Sequence, residues 1–104
     1  MIKVYIASPY TIGDKKHNVK LQIDCANELI NLEFAPFAPL LSHYLPPQPY
    51  EKWLELDLEW LKCCDCLLRL EGESAGADKE VDAAMSANKP VVYSIDELKG
   101  LYNL

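Results

Sequence analysis

Arginine is nearly absent from this chain of 104 residues, in which Arg69 is the only one. Ten Lys and Arg residues stand against sixteen Asp and Glu residues, and the formal net charge is −6 at pH 7. Proteins that bind the nucleic-acid backbone neutralise its phosphates with clustered Lys and Arg. The composition therefore predicts no nucleic-acid partner, and it leaves a small ligand, held by a few local donors, as the expected partner.

Long apolar runs are also missing. No window approaches the ~18 consecutive apolar residues of a transmembrane helix. The apolar opening of the chain is too short for a signal peptide and is followed at once by Ser8 and Pro9. We therefore expect no membrane partner and a cytoplasmic location.

Cysteine is scarce and unevenly placed. Cys63, Cys64 and Cys66 fall close together, and Cys25 stands alone. A chain of this length, half of it apolar, can fold without disulfides, so reduced thiols buried as small apolar side chains are the preferred interpretation. A thiol redox motif at Cys63 and Cys66 is a weaker alternative, because a reactive pair usually lies at the start of a helix and this one follows a predicted helix. No other ligands are well placed for a zinc site, so no metal is expected.

What the sequence does contain is an alternation of strand and helix patterns. Strands are predicted at residues 2–7, 34–38, 65–70 and 91–94, and helices at 15–32, 50–63, 77–87 and 96–102, the last capped by Ser94 or Asp96. The strands are nearly continuous in apolar residues, which is typical of a parallel sheet covered by helices on both faces. We expect a single α/β domain over residues 1–104.

Helical periodicity also predicts which side chains face the sheet. They are Val19, Ile23, Ala26 and Ile30 in the first helix and Val81, Ala84 and Met85 in the third. Residues 42–49 contain three prolines and are expected to form an irregular loop that could serve as a lid or a pocket wall. Ligands of such folds bind beyond the carboxyl ends of the strands, so the segments of interest are 8–11, 40–44 and 71–80.

The segment from Gly72 to Glu80 is the most specific feature, because it joins a predicted strand to a predicted helix. Two glycines and a serine there expose backbone N–H groups at a helix start, which suits an anion or ribose hydroxyls. Glu80 would lie near the positive end of the helix dipole and is expected to stay ionised, as a nucleophile must. The alternative is that Glu80 and Asp78 only stabilise the helix N-terminus.

Three further residues could contribute to chemistry. Asp57 shares a helix face with aromatic residues, so it is either a satisfied buried acid or a functional acid with a raised pKa. Glycosidic cleavage uses two carboxyl groups, so Asp57 and Glu80 are candidates for such a pair. His43 either contacts a substrate or is simply solvated. Tyr5 belongs either to the core or to the floor of a pocket.

These residues resemble the nucleoside 2-deoxyribosyltransferase superfamily, and more closely its small members of the DUF4406 and DUF7768 type. The matching segments are 3–10, 42–43, 50–65 and 72–81, and together they span nearly the whole chain. The most specific element is Gly76-x-x-x-Glu80, followed by Lys89-Pro90-Val91-Val92. The resemblance implies a flavodoxin-like (Rossmann-like) three-layer sandwich with a parallel sheet of about four strands, and an enzyme that needs no metal or organic cofactor.

The resemblance also implies residue roles. Glu80 would be the nucleophile that forms a deoxyribosyl–enzyme intermediate, Asp57 would be the second acid, as in the related deoxynucleoside 5′-monophosphate N-hydrolases, and Tyr5 would line the pocket and orient Glu80. The expected substrate-binding residues are Ser8, Pro9, Tyr10, His43, Ser74, Gly76 and Asp78.

The implied activity is cleavage or exchange of the N-glycosidic bond of a (deoxy)nucleoside or its 5′-monophosphate. In the nucleotide hydrolases the loop after the first strand is rich in glycine and arginine, whereas here residues 11–16 contain no arginine. A non-catalytic nucleotide-binding or sensing module of the same fold is the alternative. Tyr50, Trp53 and Trp60 on one helix suggest a homodimer.

Overall fold

Strands and helices alternate along the whole chain in the computed structural model, which describes every residue from Met1 to Leu104. The strands are β1 (Lys3–Ala7), β2 (Ala35–Phe37), β3 (Cys66–Arg69) and β4 (Val91–Val92). The α-helices are α1 (Lys15–Asn31), α2 (Tyr50–Lys62), α3 (Ala75–Ser86) and α4 (Ile95–Leu101), and a 3₁₀ helix, Pro39–Tyr44, lies between β2 and α2.

The four strands form one sheet in the order β2-β1-β3-β4, and every neighbouring pair is parallel. Val4 lies opposite both Pro36 and Cys66, so β1 is an inner strand with β2 on one side and β3 on the other. The chain leaves β1 toward one edge and later crosses to the other. This change of direction beside β1 creates a crevice at the carboxyl ends of the strands.

Each face of the sheet has its own apolar core, because successive strand residues point to opposite faces. On one face Val4, Ile6, Cys66 and Leu68 pack with Cys25 and Leu29 of α1 and Leu98 of α4. On the other face Tyr5, Ala7 and Leu67 pack with Leu61 of α2 and with Ala77 and Ala84 of α3. Helices therefore cover both faces, which confirms the predicted three-layer α/β architecture with a four-stranded parallel sheet.

The buried face of α1 differs from the prediction. Val19, Gln22, Cys25 and Leu29 are buried, whereas Ile30 is 57% exposed. Ile23 is also exposed, so the prediction was right for Val19 and wrong for both isoleucines. The physical reason is the polar Gln22, which looks like a solvent-facing residue but finds hydrogen-bond partners inside the fold.

The buried face of the third helix also differs in part from the prediction. Ala84 is buried and Val81 is half-buried, as predicted, but Met85 is 54% exposed. Helix α3 lies against the sheet through the small side chains of Ala77 and Ala84, so the longer Met85 points away from it.

The first residues of α3 and α4 depend on capping residues that the sequence alone did not decide. Helix α3 begins at Ala75 rather than residue 77, because the hydroxyl oxygen of Ser74 accepts the amide of Ala77 at 3.1 Å. Ser94 caps α4 in the same way through the amide of Glu97. The predicted irregular loop at residues 42–49 is wrong for residues 42–44, which belong to the 3₁₀ helix.

All four thiols are free. Cys25, Cys64 and Cys66 are buried, as predicted, and Cys63 is exposed, contrary to the prediction. None of the helices has both the length and the apolar character needed to cross a membrane.

Candidate active site

A cavity of about 640 Å³ opens at the carboxyl edge of the sheet, within the usual size range of small-molecule sites. Its walls come from the loop after β1, the 3₁₀ helix, the first half of α2 and the start of α3. All three segments that the sequence singled out contribute to it. The predicted site residues that line the cavity are Ser8, Tyr10, His43, Asp57, Ser74, Gly76 and Glu80.

Glu80 lines the cavity from the second turn of α3, and only 7% of the residue is exposed. Its Oε2 accepts a hydrogen bond from the hydroxyl of Tyr5. Burial raises the pKa of the Glu80 carboxyl to about 7, with a smaller upward contribution from Asp57, while the Tyr5 hydrogen bond and the Arg69 charge lower it.

Burial therefore favours the neutral Glu80 carboxyl and opposes the ionisation that the helix dipole was expected to favour. Loss of hydration is the largest contribution to this pKa shift, because the carboxyl is removed from water. Ser74 caps α3, and Glu80 instead accepts the Tyr5 hydroxyl. The contacts of Glu80 therefore do not support its interpretation as a residue that only stabilises the helix terminus.

Tyr5 approaches Glu80 from the sheet and does not itself line the cavity. It is fully buried on β1, and its ring packs against Phe37 with the ring centres 5.6 Å apart. Burial, together with the neighbouring Glu80 carboxylate, raises the pKa of the Tyr5 hydroxyl above its ordinary value. The hydroxyl is thus a permanent donor, and Tyr5 is both a core residue and a support for Glu80.

Asp57 is the second carboxyl of the cavity and comes from α2. The residue is half-buried, and burial raises its pKa to about 6. The raised pKa is one of the features expected of a functional acid at this position. Two carboxyl groups from different helices therefore share one cavity, and both hold protons at higher pH than exposed acids do.

Ser8 is fixed by Gln22, a residue that sequence reasoning missed. The side-chain amide of Gln22 donates to the Ser8 hydroxyl at 2.8 Å and to the carbonyl of Ile6 at 3.2 Å. Its Oε1 accepts the amide of Leu40 at 2.8 Å. Gln22 thus joins the end of β1 to the 3₁₀ helix, and the available signal was its spacing of three residues from both Val19 and Cys25.

Tyr10 and His43 close one side of the cavity. The Tyr10 hydroxyl and the Nδ1 of His43 are hydrogen-bonded at 2.6 Å, and their rings meet edge to face. The Lys15 ammonium lies 5.5 Å from the centre of the Tyr10 ring. His43 therefore joins the 3₁₀ helix to the loop after β1 at the cavity rather than standing free in solvent.

Pro9 and Asp78 do not line the cavity. Pro9 packs against Gly72, where an added Cβ would lie 2.7 Å from the Pro9 Cγ. Asp78 pairs with Arg69 at 3.2 Å, with its side chain 70% exposed. Both residues support the loop between β3 and α3, so their predicted direct contact with a substrate is not reflected in their positions.

Some residues that line the cavity were not predicted from the sequence to belong to the site. Tyr50 and Trp53, which the sequence suggested for a subunit contact, both line the cavity. Lys15 is the only Lys or Arg side chain in the lining. No group of three or more His, Cys, Asp or Glu side chains is arranged to hold a metal ion.

Comparison with known proteins places residues 2–94 in a family described as a domain of unknown function, DUF7768. No curated protein matches the sequence. Among solved structures, the fold is similar to that of a 2-deoxyribosyltransferase from the psychrotolerant bacterium Bacillus psychrosaccharolyticus, with a TM-score of 0.67 and 24% sequence identity. The match covers 86% of this chain and 69% of the other. This likeness agrees with the predicted flavodoxin-like fold.

Proposed function

The chain belongs to the DUF7768 family, and we propose that it cleaves or exchanges the N-glycosidic bond of (deoxy)nucleosides or their 5′-monophosphates. The observation that carries this proposal is the buried Glu80 carboxyl, which faces the cavity while Tyr5 holds one of its oxygens. The presence of Asp57 in the same cavity supports it further, because glycosidic cleavage uses two carboxyl groups. A fold shared with a 2-deoxyribosyltransferase is consistent with this chemistry.

In the first step the free oxygen of the Glu80 carboxylate attacks the anomeric carbon of the sugar. A C–O ester bond forms as the C–N bond to the base breaks. Protonated Asp57 gives its proton to the departing base, so the electron pair of the broken bond leaves on a neutral base. Tyr5 keeps the other Glu80 oxygen fixed, which holds the nucleophile in one orientation.

In the second step the glycosyl ester of Glu80 is resolved. The Asp57 carboxylate takes a proton from water, which attacks the anomeric carbon and releases the free sugar and the Glu80 carboxylate. If a second base attacks instead, the product is a new nucleoside. The two outcomes distinguish a hydrolase from a transferase, and both use the same intermediate.

The central test is release of free base from deoxynucleosides and deoxynucleoside 5′-monophosphates, followed by liquid chromatography. The wild-type protein should release base, and Glu80→Gln should abolish release while it preserves the size of the side chain. Glu28→Gln, an exposed change on α1, is the matched control and should leave the rate unchanged. Equal rates for wild type and Glu80→Gln would refute the nucleophilic role.

Intact-mass measurement of protein quenched during turnover tests the intermediate directly. A glycosyl adduct should appear on the wild-type chain and be absent from Glu80→Gln. Adding a second free base distinguishes the two fates, because a transferase makes a new nucleoside. If deoxynucleosides raise the melting temperature but no base is ever released, the protein is the binding module that the sequence left as the alternative.

We also propose that the protein forms a homodimer through the outer face of α2. Trp60 is 49% exposed although its ring stacks on Phe37, and Leu56 on the same helix is 47% exposed. Sedimentation equilibrium should give twice the chain mass for wild type, and Trp60→Glu should shift the mass toward one chain. A wild-type protein that sediments as a single chain at high concentration would contradict the dimer.

A further inference from the structure

Arg69, the only arginine of the chain, ends β3 beside the candidate active site but does not line the cavity. It is 8% exposed, and a buried guanidinium is costly unless its donors are satisfied. It donates to the carbonyl oxygen of Leu70, to the carbonyl oxygen of Gly72 at 2.8 Å and to Oδ1 of Asp78 at 3.2 Å. All three acceptors belong to the loop between β3 and α3 or to the first turn of α3.

The loop that Arg69 holds determines where α3 begins. Gly72 has a φ of +118°, a region that favours glycine, and its α-carbon packs against Pro9 of the loop after β1. Its carbonyl is fixed from the other side by Arg69. Two residues later Ser74 caps α3, which carries Gly76 and Glu80 into the cavity.

Arg69 is also the only positively charged side chain that contributes to the pKa of Glu80. Its charge lowers the pKa of the Glu80 carboxyl, opposing the upward effects of burial and of Asp57. Charges near buried groups are poorly screened by salt, so this interaction persists at physiological ionic strength. The guanidinium cannot lose its proton under any ordinary condition, which makes the charge permanent.

We propose that Arg69 is a positioning residue for the reaction: it fixes the loop from Leu70 to Ser74 and places a permanent positive charge near the Glu80 carboxylate. The inference rests on the proposed nucleophilic role of Glu80. Arg69→Lys separates the loop contacts from the charge, because lysine keeps a positive charge but lacks the planar fork that engages several acceptors at once.

The test of the charge is the titration of Glu80, measured without substrate by carbon NMR of protein labelled at its glutamate carboxyl groups. Glu80→Gln assigns the signal. Arg69→Met should raise the Glu80 midpoint, because it removes a charge that favours the carboxylate, and Arg69→Lys should raise it less. Lys20→Met, which removes an exposed charge paired with Asp24 on α1, is the matched control and should leave the midpoint unchanged.

A Glu80 midpoint that is the same in wild type and Arg69→Met overturns the proposed charge effect. Arg69→Gln removes the charge but keeps two amide donors, and it replaces Arg69→Met if that variant does not fold. The loop is tested in Arg69→Lys by amide hydrogen exchange, which should become at least several-fold faster over residues 73–78. Unchanged exchange in that variant overturns the positioning role.

These outcomes are distinct from failure of the proposed function. If wild-type protein releases no base from any substrate, the reaction is wrong while the Glu80 titration still reports on Arg69. If base is released, Arg69→Met should lower the maximal rate and move the alkaline limb of the rate profile to higher pH, because the Glu80 pKa already lies above that of Asp57. A uniform loss of rate without that movement would indicate a structural role alone.

Discussion

The hydroxyl of Tyr5 donates a hydrogen bond to the carboxyl of Glu80, although the two residues lie 75 positions apart in the chain. Both are buried, one on the sheet and one on the helix that covers it. The contact ties the proposed nucleophile to a fully buried residue of the inner strand β1. Its removal should therefore alter the chemistry of the site more than the fold.

Tyr5→Phe should leave the fold intact, because the ring that packs against Phe37 is retained. The Glu80 carboxylate then loses its donor, so its pKa should rise further above that of Asp57, the maximal rate of base release should fall, and the alkaline limb should move to higher pH. Hydrogen bonds to charged groups contribute ~1.5–3 kcal/mol, and the unfolding free energy at pH 8 should fall by an amount in that range. Urea unfolding at pH 8 measures it, with the exposed Tyr93→Phe as control. An unchanged rate profile would show that Tyr5 does not act on Glu80.

Glu80 should also make the stability of the protein depend on pH. Its pKa is about 7 in the fold against an ordinary value of 4.5, so the folded state holds the proton more tightly than the unfolded state does. Stability is therefore greatest below pH 4.5 for this group and is lost as the pH rises to 7. Between pH 5 and pH 8 the wild type should lose about 2–3 kcal/mol of unfolding free energy relative to Glu80→Gln. Parallel urea titrations of both proteins check this, and identical slopes against pH would contradict the raised pKa.

The rate of base release should be bell-shaped in pH. The mechanism needs Glu80 ionised and Asp57 protonated, and the pKa values of the pair lie near 7 and 6. The limbs belong to the coupled pair rather than to one residue each, and the maximum should fall between pH 6 and 7. Asp57→Asn should remove the alkaline limb and lower the rate. A wild-type profile that stays flat from pH 5 to pH 9 would exclude this pair of acids.

Gly76→Ala should separate ligand binding from stability. An added Cβ would meet only the Tyr50 hydroxyl, at 3.5 Å, which is an ordinary contact. Alanine favours a helix by up to ~1 kcal/mol over glycine, so the melting temperature should stay equal or rise. The new methyl group occupies the lining of the cavity, so KM should rise about tenfold or more if the sugar contacts this backbone, an effect of about 1.4 kcal/mol.

Gly100→Ala is the matched control for Gly76→Ala. Gly100 lies in α4, and a Cβ there would meet nothing within 4 Å. Both substitutions should therefore have similar effects on unfolding, and only Gly76→Ala should affect KM. An unchanged KM in Gly76→Ala would show that the substrate does not approach the start of α3.

Lys15 should distinguish nucleotides from nucleosides. It is the only Lys or Arg side chain in the lining, whereas Arg69 is held by its own loop. Lys15→Met should raise KM for a deoxynucleoside 5′-monophosphate several-fold and leave KM for the nucleoside unchanged, because only the nucleotide offers a charge to the ammonium. Lys16→Met, the exposed neighbour outside the cavity, is the control. Equal effects on both substrates would show that Lys15 does not contact the phosphate.

The fold was largely predictable because its signals are local. Alternating apolar residues in β1 and nearly continuous ones in β3 indicated buried parallel strands, and the sheet has four strands as expected. Helix starts were less predictable, because Ser74 and Ser94 cap α3 and α4 through contacts that depend on the local backbone conformation. Gln22 was missed because a polar residue is buried only when distant groups satisfy it, here those of Ser8 and Leu40.

The residues of the candidate site likewise include some that the sequence could identify and some that it could not. Glu80 and Ser74 could be proposed from residue type and position, because they follow a predicted strand, and Asp57 could be proposed from the helix face that it shares with aromatic residues. Pro9 and Asp78 could not be separated from them, since their contacts with Gly72 and Arg69 depend on how the loops meet. The aromatic side chains of Tyr50 and Trp53 line the cavity only because α2 packs beside α3.

The sequence by itself determined the alternation of strands and helices and the placement of one acid, Glu80, near the carboxyl ends of the strands, because apolar periodicity and residue order are local properties. The protonation of that acid was decided by the tertiary structure alone. The helix dipole predicted an ionised Glu80, but burial raises its pKa to about 7, and the opposing contributions come from Tyr5 on β1 and Arg69 on β3. Hydration is lost only when the helix meets the sheet, so the charge of this residue is a property of the assembled fold.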